Sequence, residues 1–367
     1  MNSGCNEARI FRICKNGGDL KQLAHDCGQE VYGVTQSSPF KHIGTKYMTC
    51  SRLFSLMVAN QGERLFATAD EKMKSFLEHV IGVNPEKETE LFLFQADIVD
   101  CLFALIYLLE TDDLAEKICI NLQPLVNALA FPDKELQFHD FCVTWVYSNR
   151  QQKYLFNVPG TDISAFVSSI KKCLLQKRFW ICLLVLQSKA LNQKIIAHCS
   201  ALLYDSETGL FERFDSYGST NPIFDTVRLD EKLLTIAKQL PNFKEMISPP
   251  NMSSFDRKGL QYLQENSNTK LEGDPIGFCI PWSILYIQAR LSCPLQDPES
   301  IPDLLKYWAA SDSRSLSSVI RRFTRKIEAL KTEVYSQFVF ENPNANMISN
   351  DYMYRTILKT FEKHLNK

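Results

Sequence analysis

The stretch that most narrows the folds open to this chain is 277–291, GFCIPWSILYIQARL. A turn signal, Gly273-Asp274-Pro275, precedes it, and after Gly277 comes an apolar run long enough for about three helical turns. Trp282, Leu285, Tyr286 and Ala289 recur at helical spacing, while Ile284, Ile287 and Leu291 fill much of the remaining circumference. Such a helix is buried on most sides, so the rest of the chain has to enclose it. Pro281 suits the first helical turn, where its missing N–H has no partner to lose. Cys279 therefore opens the helix.

A cysteine at the positive end of a buried helix has a physical reason to be reactive, because the macrodipole and the first N–H groups favour the thiolate. The same N–H groups suit an oxyanion formed beside it. The plainer alternative is a small core residue, the usual role of a free cysteine.

At 367 residues the chain can bury a large core, and a net charge of −1 with 45% hydrophobic residues gives no pointer to nucleic acid or an anionic membrane. The twelve cysteines are scattered with no C-x-x-C pair, which argues against zinc and a disulfide framework. Cys101, Cys119 and Cys182 sit inside apolar runs, as buried free thiols of a reducing, intracellular compartment would. The N-terminus lacks a signal-peptide core, and the most hydrophobic window, 91–110, carries Gln95, Asp97 and Asp100. No membrane span is expected.

Residues 1–45 show no firm pattern; His25-Asp26-Cys27-Gly28 gathers catalytic residue types, but adjacent side chains point in different directions. From about 49 to 130 the apolar spacing is helical, and residues 1–135 read as an α-helical domain whose role stays open between substrate docking, binding a protein partner and shielding the second domain. At 141–147 (FCVTWVY) and 153–158 (KYLFNV) the character turns to strands, so 136–312 reads as an α+β domain with a central mixed sheet flanked by helices. Within it 162–174 looks helical, 178–188 (RFWICLLVLQS) reads as a central strand covered on both faces, 229–240 as an amphipathic helix and 243–248 as a strand. Residues 313–367 read as a helical C-terminal extension. Arg321, Arg322, Arg325 and Lys326 on its long helix lack interleaved aromatics, so nucleic-acid binding is not expected.

The second informative stretch is 194–219, two strand-like runs around Asp205-Ser206-Glu207-Thr208-Gly209, which predicts a β-hairpin. A turn centred between Ser206 and Glu207 sets Leu203 opposite Leu210, Leu202 opposite Phe211, Cys199 opposite Phe214, and His198 opposite Asp215. Directly opposed Cβ atoms lie roughly 5 Å apart. That spacing lets a carboxylate orient an imidazole and favour its protonated form. A purely structural cross-strand pair is the competing account.

A histidine on one strand, an acid on the next and a later cysteine at a helix start are the parts of a thiol nucleophile, its base and the base's orienter. In the order His198, Asp215, Cys279 the chain resembles the adenain-like and SUMO-protease-like cysteine peptidases, above all divergent members from large cytoplasmic DNA viruses. Phe214-Asp215-Ser216-Tyr217-Gly218 matches their aromatic-acid-x-aromatic-Gly motif, and Gly277-Phe278-Cys279 with Trp282 matches G-aromatic-C-x-x-W. The resemblance covers roughly 175–292. Cys199 stands where many relatives have tryptophan, and no Asp precedes Cys279. Gly259-Leu260-Gln261 looks like the viral form of the glutamine motif, with Gln264 as the alternative.

The resemblance implies that Cys279 attacks a peptide carbonyl, His198 takes its proton, Asp215 holds the imidazole, and Gln261 with the Cys279 N–H stabilises the oxyanion. It implies no metal and no organic cofactor. The implied substrate is a protein cut after small residues, either a viral precursor or a ubiquitin-like conjugate, in host cytoplasm or virion. Two other readings stay open: a catalytically inactive protein keeping the fold for viral structure or host interaction, and acyl transfer to an amine in place of water.

Overall fold

The computed structural model describes residues 71–81, 94–111, 114–129, 136–148, 151, 153–160, 162–189, 195–219, 222–249, 258–265, 277–311, 315–341 and 350–365. The tetrad at 25–28 and the first part of the expected N-terminal helical region lie outside them. The fold is α+β: a mixed sheet enclosed by helices, with helices closing the chain.

Ahead of the sheet come α1 (Glu71–Ile81) and α2 (Ile98–Glu110). Asp97 caps α2 by accepting from Asp100 N at 2.9 Å, and Asp100 returns the bond to Asp97 N, a reciprocal capping box. The short β1 (Ile118–Cys119) and α3 (Gln123–Leu129) follow, so the 49–130 region, expected to be helical, also contributes a strand. Next are β2 (Val143–Ser148), β3 (Lys153–Asn157), α4 (Ile163–Leu174), β4 (Phe179–Lys189), β5 (Ile195–Asp205), β6 (Leu210–Phe214), α5 (Thr226–Ala237) and β7 (Glu245–Ile247). The chain ends through α6 (Leu260–Glu265), α7 (Cys279–Ser292), α8 (Ile301–Ser311), α9 (Leu316–Glu341) and α10 (Asn350–Leu365).

The strand order is β3-β2-β4-β5-β6-β7. β5 takes one whole edge of β4, while β1 and β2 share the other, both parallel to it and paired at its start and its end. β4 is the central, doubly covered strand that its continuous apolar run predicts. Its odd-numbered residues Phe179, Ile181, Leu183 and Val185 join Cys199, Ala201 and Leu203 of β5 in a core with α2, α7, α8, α9 and α10. Its even-numbered residues Trp180, Cys182, Leu184 and Leu186 pack with Leu202 and Tyr204 against α4 and α5. Residues from 73 to 361 thus enter one apolar cluster around α7. Each large side chain buried there contributes about 1.5–3 kcal/mol.

Two expectations are corrected. Cys119 is not a free thiol: it is bonded to Cys173 of α4, tying β1 to the helix that covers it. The hairpin register also differs. Asp205 pairs with Leu210 and Tyr204 with Phe211, so Leu203 faces Glu212, Leu202 faces Arg213 and Ala201 faces Phe214. Asp205 is the physical reason. Its carboxylate accepts from Glu207 N at 3.1 Å and its carbonyl from Gly209 N at 2.8 Å, which closes a four-residue turn at 206–209. The ladder moves by two residues, and since strand side chains alternate with period two, His198 and Asp215 keep a common face.

Candidate active site

The site forms where β6 stops. β5 pairs with β6 only from Ala201 onward, so its earlier residues run past the end of β6. There the chain turns through Asp215-Ser216-Tyr217-Gly218, closed by Gly218 N donating to Asp215 O at 2.9 Å. Residues 258–261 lie against this turn: Gly259 N donates to Tyr217 O at 3.0 Å, and Gln261 N to Ser216 O at 2.8 Å. A Cβ on Gly259 would sit 2.1 Å from Ser216 O and 2.3 Å from Gly218 N, so only glycine allows the approach. The two sequence motifs that looked separate are one backbone unit.

Direct opposition of His198 and Asp215 gives way to a diagonal, yet the pair forms: His198 Nε2 lies 2.8 Å from Asp215 Oδ1. Ser200 Oγ donates to Asp215 Oδ2 at 3.2 Å, and Tyr217 N to Oδ1 at 2.8 Å. Tyr217 meets the imidazole edge-on at 5.2 Å, and Phe224 stacks on it at 6.2 Å between ring centres. Burial alone would lower the pKa of His198, but the Asp215 carboxylate and then the Cys279 thiol outweigh it and hold the imidazole well above its usual range. Burial likewise works to raise Asp215, and His198 with Arg213 reverses it, so the carboxyl titrates below its usual range.

Cys279 comes from the other side of the sheet, at the first residue of α7. Of the free cysteines among the described residues it alone is not buried. The Cys279 thiol neighbours the His198 imidazole closely enough to help raise its pKa, and with Nε2 engaged by Asp215 the ring nitrogen left for it is Nδ1. Pro281 lies in the first turn, as its chemistry predicts.

A polar stripe at helical spacing fixes this position. Ser283 Oγ donates to Cys199 O at 3.3 Å, one residue beyond His198. Tyr286 Oη donates to Glu212 Oε2 at 2.7 Å, and its ring stacks on Phe214 at 4.3 Å. Arg290 donates to Glu212 through Nη2 at 2.8 Å and through Nε at 3.0 Å, with both groups buried. Ser283, Tyr286 and Arg290 follow Cys279 at successive intervals of four, three and four residues, so one helix face carries the thiol and its three anchors.

Gln261 is buried beside the thiol's backbone. Its Nε2 would lie 3.2 Å from a Cβ on Gly277, two residues before Cys279. Ser216 Oγ donates to Gln261 Oε1 at 2.8 Å, and Gln261 Nε2 donates to Glu265 Oε1 at 2.9 Å. Gln264 is also buried on α6. Sequence reasoning did not single out Ser200, Ser216, Glu265, Ser283 or Arg290. A signal existed for two of them, since Ser283 and Arg290 are polar interruptions of an apolar helix at the spacing of its thiol. Among the described residues no cluster of His, Cys, Asp and Glu suits a metal ion, and no helix is long and apolar enough to cross a membrane.

No family model matches the chain. A stretch of 168 residues, 42% of the chain, is 26% identical to an ankyrin-repeat protein of Acanthamoeba polyphaga mimivirus, and the match spans 21% of that protein's length. Among solved structures, two crystal structures of the Legionella pneumophila effector protein RavZ align over 72% and 73% of this chain. They cover 80% and 85% of those chains, at 10% identity and TM-scores of 0.33 and 0.31. Likeness at that level carries no argument about what the chain does, which rests on its own residues.

Proposed function

We propose that the protein is a cysteine peptidase with Cys279 as nucleophile, His198 as base, Asp215 as its orienter and Gln261 as oxyanion donor. The observation that carries this is that, among the described residues, the one free thiol that is not buried neighbours an imidazole whose Nε2 is held at 2.8 Å by a buried carboxylate. Cys279 Sγ attacks the carbonyl carbon while His198 Nδ1 takes the thiol proton. Gln261 Nε2 and the Cys279 N–H donate to the oxyanion. Collapse breaks the C–N bond, His198 returns the proton to the leaving amine, and water, deprotonated by His198, then hydrolyses the thioester. None of these steps requires a metal or an organic cofactor.

The substrate class we assign is a protein cut at a peptide or isopeptide bond after a small residue, in a viral precursor or a ubiquitin-like conjugate. The 26% identity to a viral protein agrees with the first. The test is iodoacetamide alkylation followed across pH and resolved cysteine by cysteine by peptide mass spectrometry, on wild type and His198→Ala. An unperturbed thiol reacts with an apparent pKa near ~8.5. Cys279 is expected to react faster than the other cysteines and to lose that advantage in the variant; equal reactivity in the two proteins would remove the catalytic reading.

A further inference from the structure

We infer that Glu265 and Ser216 are positioning residues that fix which end of the Gln261 amide faces the thiol; this rests on the peptidase reading above. An amide side chain presents a donor and an acceptor of nearly identical shape, and only the donor end stabilises an oxyanion. Ser216 Oγ donates to Gln261 Oε1 at 2.8 Å, which marks that end as the acceptor. Glu265 Oε1 accepts from Gln261 Nε2 at 2.9 Å, which marks the other as the donor. Rotating the amide by half a turn would set its carbonyl oxygen against the Glu265 carboxylate, two acceptors with no hydrogen between them, whereas the Ser216 hydroxyl could turn to accept from the NH2, so Glu265 carries the choice and Ser216 seats the acceptor end.

One Nε2 hydrogen is spent on Glu265 and the other remains for the reaction. Nε2 sits against Gly277, where an added Cβ would come within 3.2 Å, so the donor end lies on the Cys279 side. Glu265 is held in turn by the Tyr217 hydroxyl, which donates to its other oxygen, and Tyr217 contacts the His198 ring. Gln261 and Glu265 are four residues apart on α6, and Ser216 is in the turn that follows the orienting Asp215. The carboxylate is exposed at the rim, so its role is directional and does not depend on burial.

The experiment compares two reactions of Cys279 in the full chain, each resolved by peptide mass spectrometry. p-Nitrophenyl acetate acylates the sulfur through a tetrahedral oxyanion: the S–C bond forms, the C–O bond breaks, p-nitrophenolate leaves with the electron pair, and the thiol proton passes to His198. Iodoacetamide alkylates the same sulfur by displacement of iodide, with no oxyanion. Glu265→Lys, which donates to Gln261 where Glu265 accepts, is expected to slow acylation by on the order of 10²-fold, as loss of one oxyanion donor does, and to leave alkylation within about twofold.

Glu265→Gln retains an acceptor and is expected to behave as wild type. In a Gln261→Ala background Glu265→Lys should add no further loss, because there is no amide left to orient. Equal slowing of both reactions by Glu265→Lys, or a full loss persisting without Gln261, would overturn the inference while leaving the nucleophile in place. His198→Ala with both rates unchanged would overturn the peptidase reading and this inference with it.

Discussion

Replacing Arg290 by methionine should destabilise the protein far more than its position at the end of a helix suggests. Arg290 and Glu212 are 1% and 0% exposed, and three nitrogen–oxygen contacts of 2.8–3.0 Å join them. Removing the guanidinium strands the carboxylate in the core with only Tyr286 Oη as donor, and breaking a buried pair from one side costs about 3–5 kcal/mol. Domains are stable by roughly 5–15 kcal/mol in all, so the variant loses a large fraction of its margin. Adding Glu212→Leu removes the stranded charge but orphans the Tyr286 hydroxyl, a further penalty of about 1–3 kcal/mol. The triple variant with Tyr286→Phe also removes that hydroxyl, leaving the Pro294 and Gln296 carbonyls that Arg290 Nη1 served as the groups still to be matched, and it is expected to return to within about 1–2 kcal/mol of wild type, since such pairs are often replaceable by apolar packing. Urea unfolding followed by tryptophan fluorescence measures the series. An Arg290→Met variant within about 1 kcal/mol of wild type, or a triple variant no better than the single one, would refute the reasoning.

Gly277→Ala would set a Cβ 3.2 Å from Gln261 Nε2, and the displaced amide should slow acylation of Cys279 by roughly tenfold while leaving alkylation unchanged, read by the same paired assay. Gly259→Ala should unseat 258–261 from the turn after β6 and lower the melting temperature by several degrees, on the order of 2 kcal/mol for a strained backbone contact; an unchanged melting temperature would contradict the close approach. The raised pKa of His198 means its stabilisation is complete below the unfolded value of about 6.5 and fades as pH rises through the folded value. Asp215, lowered, loses its contribution only as pH falls through its own folded value, below about 3.9. The stability gap between wild type and Asp215→Asn should therefore be widest near pH ~6 and narrow toward pH ~9; urea midpoints across that window that diverge instead would count against the charged pair.

Local chemistry was legible in the sequence wherever one residue type had a single explanation. Pro281 and the apolar circumference of 277–291 marked the start and burial of α7, and the uninterrupted run of β4 marked a central strand. The hairpin was legible and its register was not, because the length of the turn depends on Asp205 folding its carboxylate back onto Glu207, a choice also shaped by Arg178 across the sheet. The pairing of His198 with Asp215 survived that error through parity. The disulfide was out of reach for a related reason: Cys119 and Cys173 are separated by 54 residues, and nothing in their spacing reports that β1 passes beneath α4. Glu265 and Ser216 are surface-type residues whose meaning appears only once 258–265 is laid on the turn at 215–218.

The stripe of Ser283, Tyr286 and Arg290 makes α7 behave like a key in a lock rather than a sliding bolt. Advancing the helix by one residue would turn it by about 100° and would break the bond to Cys199 and the contacts of Tyr286 and Arg290 with Glu212 in the same movement. Damage to this seam should then appear as a smaller population of fully competent molecules, each working at the normal rate, and not as a uniform population working slowly. Active-site titration against total protein separates the two.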